Sequence, residues 1–111
     1  MTSARRADEF LAHLQDVREK IGPIEASPFF GGVALRLDGR QFAMVMNGPL
    51  YFAVDDATRP RYEHRGSESF AYATRRGRVT VSAYMEVPAD VLEDHALLRA
   101  WAWDAAQTRV T

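Results

Sequence analysis

An α+β fold, with an antiparallel sheet of about five to six strands and N-terminal and C-terminal helices packed on one face, follows from three observations on this chain of 111 residues. The stretch from Phe29 to Asp56 holds three short apolar runs divided by the turn dipeptides Asp38-Gly39 and Asn47-Gly48, which is the pattern of a strand meander. A second alternating pair flanks the turn Arg75-Arg76-Gly77-Arg78. Apolar residues at helical spacing stand at both ends of the chain. The length suits one domain, residues 1–111, with a single core.

From Ser3 to Ile21 the residues Phe10, Leu11, Leu14, Val17 and Ile21 recur at helical spacing, opposite a charged side that includes Arg5, Asp8, Glu9, Asp16, Arg18 and Glu19. Thr2 or Ser3 caps this amphipathic helix and Gly22-Pro23 ends it. Ile24 to Ser27 reads as a short strand, placed at a sheet edge because Pro23 and Pro28 bracket it. In the meander, a two-residue turn at Asp38-Gly39 sets Leu35 opposite Phe42 and Val33 opposite Met44. A two-residue turn at Asn47-Gly48 then pairs Val45 with Leu50, which leaves Leu50, Phe52 and Val54 on the wrong face. A three-residue loop, Asn47 to Pro49, is therefore expected, with Phe42, Met44 and Met46 sharing a face with Leu50, Phe52 and Val54.

Beyond Asp55-Asp56, a helix of about two turns is expected, with Asp56 or Thr58 as cap, Pro60 in its first turn and Gly66 as its stop. Phe70, Tyr72 and Thr74 alternate with Ala71 and Ala73, and Val79 to Tyr84 alternates again, giving a second hairpin. Pro88 opens a short turn through Leu92. Asp94 caps a closing helix from His95 to about Thr108, with Leu97, Leu98, Trp101, Ala102 and Ala105 as its buried stripe.

Composition excludes several function classes. A net charge of −1 gives no global pull toward nucleic acid or an anionic membrane, so a nucleic-acid contact requires a local patch. Cysteine is absent, which removes disulfides, thiolate catalysis and thiolate zinc sites. No apolar run approaches the roughly 20 residues of a membrane span, and the N-terminal basic pair has no apolar segment behind it. A cytoplasmic location is expected. Arginine accounts for thirteen of the fourteen basic residues, a bias spread over the whole chain.

The segment FFGGVALRLDGRQFAMVMNGPLYFAVDD and the later run Tyr84-Met85-Glu86-Val87-Pro88 resemble the N-terminal domain of the TfoX/Sxy family of bacterial competence regulators. The residues that carry the likeness are Phe30, Gly31 and Gly32, the turn Asp38-Gly39, Asp55 after the meander, and Tyr84 and Pro88 before the last helices. The likeness runs from about Phe10 to Ala106. It implies a sheet and helix sandwich of the secretion-chaperone type and a stand-alone N-terminal domain without the family's helical C-terminal domain. It also implies a regulatory role in DNA uptake, exercised with the transcription machinery, including a cyclic-AMP-responsive factor.

Residues with chemical potential have ordinary readings. Gly31-Gly32 lacks the lysine and hydroxyl of a phosphate-binding loop and leads into a strand, so it is expected to serve as a tight turn that tucks Phe29 and Phe30 under the sheet. His13, His64 and His95 fall on separate elements, and no metal or cofactor is expected. The serines Ser27, Ser67, Ser69 and Ser82 sit in no nucleophile motif. The acidic pairs Asp8-Glu9, Asp55-Asp56 and Glu93-Asp94 stand at helix starts, where capping accounts for them. No catalytic residue is assigned, and the chain is expected to act without enzymatic chemistry.

Two surfaces remain. Arg75, Arg76 and Arg78, with Arg59, Arg61 and Arg65 on the short helix, form a candidate basic contact surface, either a solvated turn or a site for phosphate or an acidic partner, with Tyr62 and Tyr72 either half-buried on the sheet or serving as stacking platforms. Trp103 lies opposite the buried stripe of the closing helix, where it either contacts a second subunit or another protein or folds back on Val110 or the first helix. Three functions follow: an adaptor acting by protein contacts, as a homodimer; a nucleic-acid binder using the Arg75–Arg78 hairpin; and a small-ligand sensor with a pocket between sheet and helices lined by Phe42, Tyr51 and Trp101.

Overall fold

The computed structural model describes residues 23–108. Six antiparallel strands form one sheet in the order β1-β2-β3-β4-β6-β5: β1 Ile24–Phe29, β2 Gly32–Leu37, β3 Arg40–Val45, β4 Leu50–Ala53, β5 Ser69–Thr74 and β6 Gly77–Glu86. Three helices are described, α1 Arg59–His64, α2 Ala89–Leu92 and α3 His95–Thr108, and they pack on one face. The fold is the expected α+β layering. The N-terminal amphipathic segment, with Asp8, Glu9 and His13, lies outside the described residues.

Turn chemistry sets the meander. Phe30-Gly31, Asp38-Gly39 and Asn47-Gly48 are all two-residue turns whose residues have positive φ at both positions, the geometry that matches the natural twist of paired strands. The last corrects the expected three-residue loop: Val45 pairs with Leu50, and the Met46 amide donates to the Pro49 carbonyl at 3.0 Å.

The face conflict that argued against this turn is resolved elsewhere. Leu35 pairs with Ala43 and Arg36 with Gln41, so Phe42 is an extra residue on β3, a β-bulge. Leu35 therefore does not face Phe42, nor does Val33 face Met44. The bulge turns Phe42, Ala43 and Val45 to the helices, where Phe42 packs on Phe52 at 6.4 Å between ring centroids, while Met44 and Met46 go to the opposite face.

The helix side holds the main core, with Leu35, Phe42, Phe52, Tyr62, Val87, Val91 and Leu98 fully buried. Asp94 caps α3 as expected, its Oδ1 accepting from the amides of Ala96 at 3.1 Å and Leu97 at 3.2 Å. The buried stripe of α3 is Leu98, Trp101, Ala102, Ala105 and Ala106, with Leu97 half-buried. Before α1 the cap differs from expectation. Asp55, one turn earlier than Thr58 and in place of Asp56, accepts from the amides of Ala57 and Thr58 at 2.9 Å each, and its own amide donates to Thr58 Oγ1 at 3.0 Å. Thr108 at the end of α3 donates to Asp55 Oδ2 at 3.3 Å, so this carboxylate joins both helices.

β1 runs two residues further than expected, through Pro28, which an edge strand tolerates. At the other edge, β6 is long. Its first half pairs with β5 and its second with β4, with a register irregularity between Ser69 and Phe70. The β5–β6 hairpin thus projects beyond the helix-covered sheet, and Tyr72 to Thr80 are exposed throughout.

Candidate docking face

The face of the sheet opposite the helices carries a small second cluster. Met44, Met46 and Phe70 are buried there, with Phe29, Tyr51, Val81 and Tyr84 packed around them. Tyr51 meets Phe70 edge-on at 5.1 Å, and the Tyr84 hydroxyl donates to the Gln41 carbonyl at 3.4 Å. Between this cluster, the Phe30 turn and the projecting hairpin lies a groove of about 470 Å³, whose rim includes Phe30, Asn47 and Tyr72. None of its lining residues is charged. A groove of this kind suits apolar side chains.

Phe30 departs from expectation. Its ring does not tuck under the sheet: it is 87 % exposed and lies edge-on to Phe29 at 4.8 Å. Its φ of 46° is in the left-handed region, where a bulky side chain without local hydrogen-bonding ability is strained. Asp38 and Asn47, at the equivalent positions of the other two turns, are residue types that tolerate this conformation. Gly32 has a different requirement. A Cβ there would sit 2.1 Å from the Val45 carbonyl oxygen and 2.7 Å from Met46 Sδ, so the close approach of β2 to β3 under the groove requires glycine.

The six arginines of the candidate basic surface divide. On α1, Arg61 pairs with Asp104 of α3 at 2.7 Å, Arg65 pairs with Asp90 of α2 at 3.1 Å, and both guanidinium groups lie over the Trp101 ring, at 4.6 and 4.9 Å from its centroid. Arg59 donates to the Ser82 carbonyl at 2.7 Å. These three fasten helices to one another and to β6. Arg75, Arg76 and Arg78 are exposed at the β5–β6 turn, which Thr74 braces by donating to the Gly77 carbonyl and accepting from the Arg76 amide. Tyr62 is no stacking platform. It is buried against Trp101 at 4.6 Å, and burial pushes its phenol far above the usual tyrosine range.

The three residues expected to line a sheet–helix pocket do not come together. Phe42 and Trp101 are buried in the helix-side core, while Tyr51 is on the other face. Burial, then the charges of Glu86 and Glu68, raise the Tyr51 phenol and keep it protonated. Trp103 is 46 % exposed on α3, away from Trp101, as its helical position requires.

A six-stranded antiparallel sheet roofed on one side by the closing helices is what the FGG, DG and Tyr-x-Glu-Val-Pro segments imply, and the family described as the TfoX N-terminal domain matches residues 15–108. The chain belongs to that family. In this TfoX N-terminal domain the motif residues have structural tasks: Gly31 and Gly32 make the first turn and the close strand approach, Asp38-Gly39 the second turn, Asp55 the helix cap, and Pro88 the N-cap position of α2. Phe30 and Tyr84 instead line the groove. The family is not known for enzymes. No curated protein matches the chain. Among the described residues, no group of His, Cys, Asp and Glu is placed to hold a metal ion, and no helix is long and apolar enough to cross a membrane.

Proposed function

We propose that this TfoX N-terminal domain is a non-enzymatic regulatory or adaptor domain that acts in the cytoplasm by protein–protein contacts, with the groove face as its docking surface. The observation that carries this reading is Phe30: a large aromatic side chain held in a strained turn conformation, almost wholly in water, at the mouth of an uncharged apolar groove. Packing among the described residues does not account for that combination, and exposed aromatics beside a pocket are the usual anchors of protein interfaces. Family membership supports a role in regulating DNA uptake, with a component of the transcription machinery as the partner.

Affinity capture from the source cell with the wild-type chain and with Phe30→Gly/Tyr72→Ser, followed by titration of the captured protein against both, tests this reading. The double variant is expected to bind at least tenfold more weakly while keeping its fold. Equal binding by both proteins would contradict the reading. So would loss of binding confined to a variant lacking Arg75, Arg76 and Arg78, which would move the contact to the basic turn.

A further inference from the structure

We infer that two copies of this chain pair through the open edge of β5, joining their sheets antiparallel across a two-fold axis. The two edges of the sheet differ. β1 carries Glu25 and Pro28, a charge and a residue without an amide hydrogen, and both discourage pairing. β5 reads Ser-Phe-Ala-Tyr-Ala-Thr, with neither charge nor proline, in a hairpin whose outer half, Tyr72 to Thr80, is exposed. Thr74 lies opposite Gly77 across a two-residue turn, the position of a hydrogen-bonded pair in such hairpins, and by alternation Phe70, Tyr72 and Thr74 bond inward to β6. The backbone groups of Ala71 and Ala73 therefore face outward.

That alternation restricts how a second copy can add. Outward residues must meet outward residues, and the register with Tyr72 on the two-fold axis does this by pairing Ala71 of one copy with Ala73 of the other. Carried beyond the strand ends, the same register brings Glu68, just before β5, level with Arg76 in the turn of the second copy, and does so twice by symmetry. Both residues are exposed and neither has an ion-pair partner among the described residues. The strand is thus flanked by opposite charges that are mutually complementary only when a copy of itself approaches antiparallel. A two-fold axis normal to the sheet keeps the same face upward in both copies, so the two apolar grooves, which Phe70 and Tyr72 help to line, become neighbours on one surface. This inference stands apart from the docking reading: a monomer can still use its groove, and a dimer can form whatever the groove binds.

Sedimentation of the full chain over a concentration series tests it, with far-UV circular dichroism to confirm folding. The wild type is expected to dimerise. Glu68→Arg and Arg76→Glu each turn two attractive contacts repulsive and are expected to weaken the dimer by about tenfold, while the double exchange returns it to within about threefold of wild type. Ala73→Pro removes an outward amide at a position where an edge strand tolerates proline, and is expected to yield a folded monomer. A wild type that stays monomeric throughout would overturn the inference. So would a dimer indifferent to both charge reversals and to Ala73→Pro, or one that Trp103→Ala dissociates and the edge variants do not.

Discussion

The two faces of this sheet are built from the same strands and differ in almost every physical respect. On the helix side Phe52, Leu35 and Leu98 are closed off from water, and rings such as Tyr62 and Trp101 pack in tilted contact. On the other side three buried residues, Met44, Met46 and Phe70, form the floor of a groove whose rim leaves Phe30 and Tyr72 in solvent. Adjacent residues of one strand, Tyr51 and Phe52, belong to opposite regimes. The difference teaches that stability resides in the roofed face, and that the bare face is free to carry features that do nothing for stability, including a strained aromatic turn.

The widest separation between the faces is expected from truncating core residues. Phe52→Ala should destabilise by about 3–5 kcal/mol, a large share of the stability of a domain this size, whereas Met44→Ala should cost nearer about 2 kcal/mol because water and rearrangement can relieve a shallow groove floor. Urea unfolding midpoints read both, and equal losses would break the comparison. Gly32→Ala tests the backbone the faces share: the clash with the Val45 carbonyl should cost about 1–3 kcal/mol, more than Gly31→Ala, where the added methyl meets open space and only the φ of 82° opposes it.

A smaller effect, of about 1 kcal/mol, is expected for Asp55→Ala, which removes the cap on α1. The amide of Thr58, ahead of the other donors, holds the Asp55 carboxyl below its ordinary range. A depressed folded-state value means that the cap's contribution is complete above the unfolded carboxylate range and fades as pH falls through the folded value. Melting temperatures of wild type and Asp55→Ala should therefore differ near neutrality and converge in acid below about pH 4. The smallest effect belongs to the bare face: Phe30→Gly should leave stability unchanged or raise it by up to about 1 kcal/mol, because glycine accepts the turn conformation that strains phenylalanine. A clear loss on that substitution would give Phe30 a structural role.

Much of the layering was legible in the sequence because turns and caps are local. Asp38-Gly39, Gly66, Asp94 and the apolar spacing of α3 announce themselves through residue types with few other uses. The faces of β3 and β4 were not legible, since alternation assigns sides only while no residue is inserted, and Gln41-Phe42-Ala43 contains no glycine to mark its bulge. The same slip hid the two-residue turn at Asn47-Gly48. The groove was missed for a related reason. Phe30-Gly31 has the X-Gly form of the two other meander turns, and that parallel was the available signal that Phe30 points into solvent. The separation of the arginines depended on tertiary partners, Asp90, Asp104 and Trp101, that lie 25 to 43 residues away in the chain.

Hydrogen exchange of the full chain with and without its captured protein partner tests most directly whether the bare face is the working face. The account predicts slowed exchange at the Phe29–Gly32 turn and across Met44 to Asn47, with α3 unchanged. Protection concentrated on α3 around Trp103, or confined to Arg75–Arg78, would contradict it.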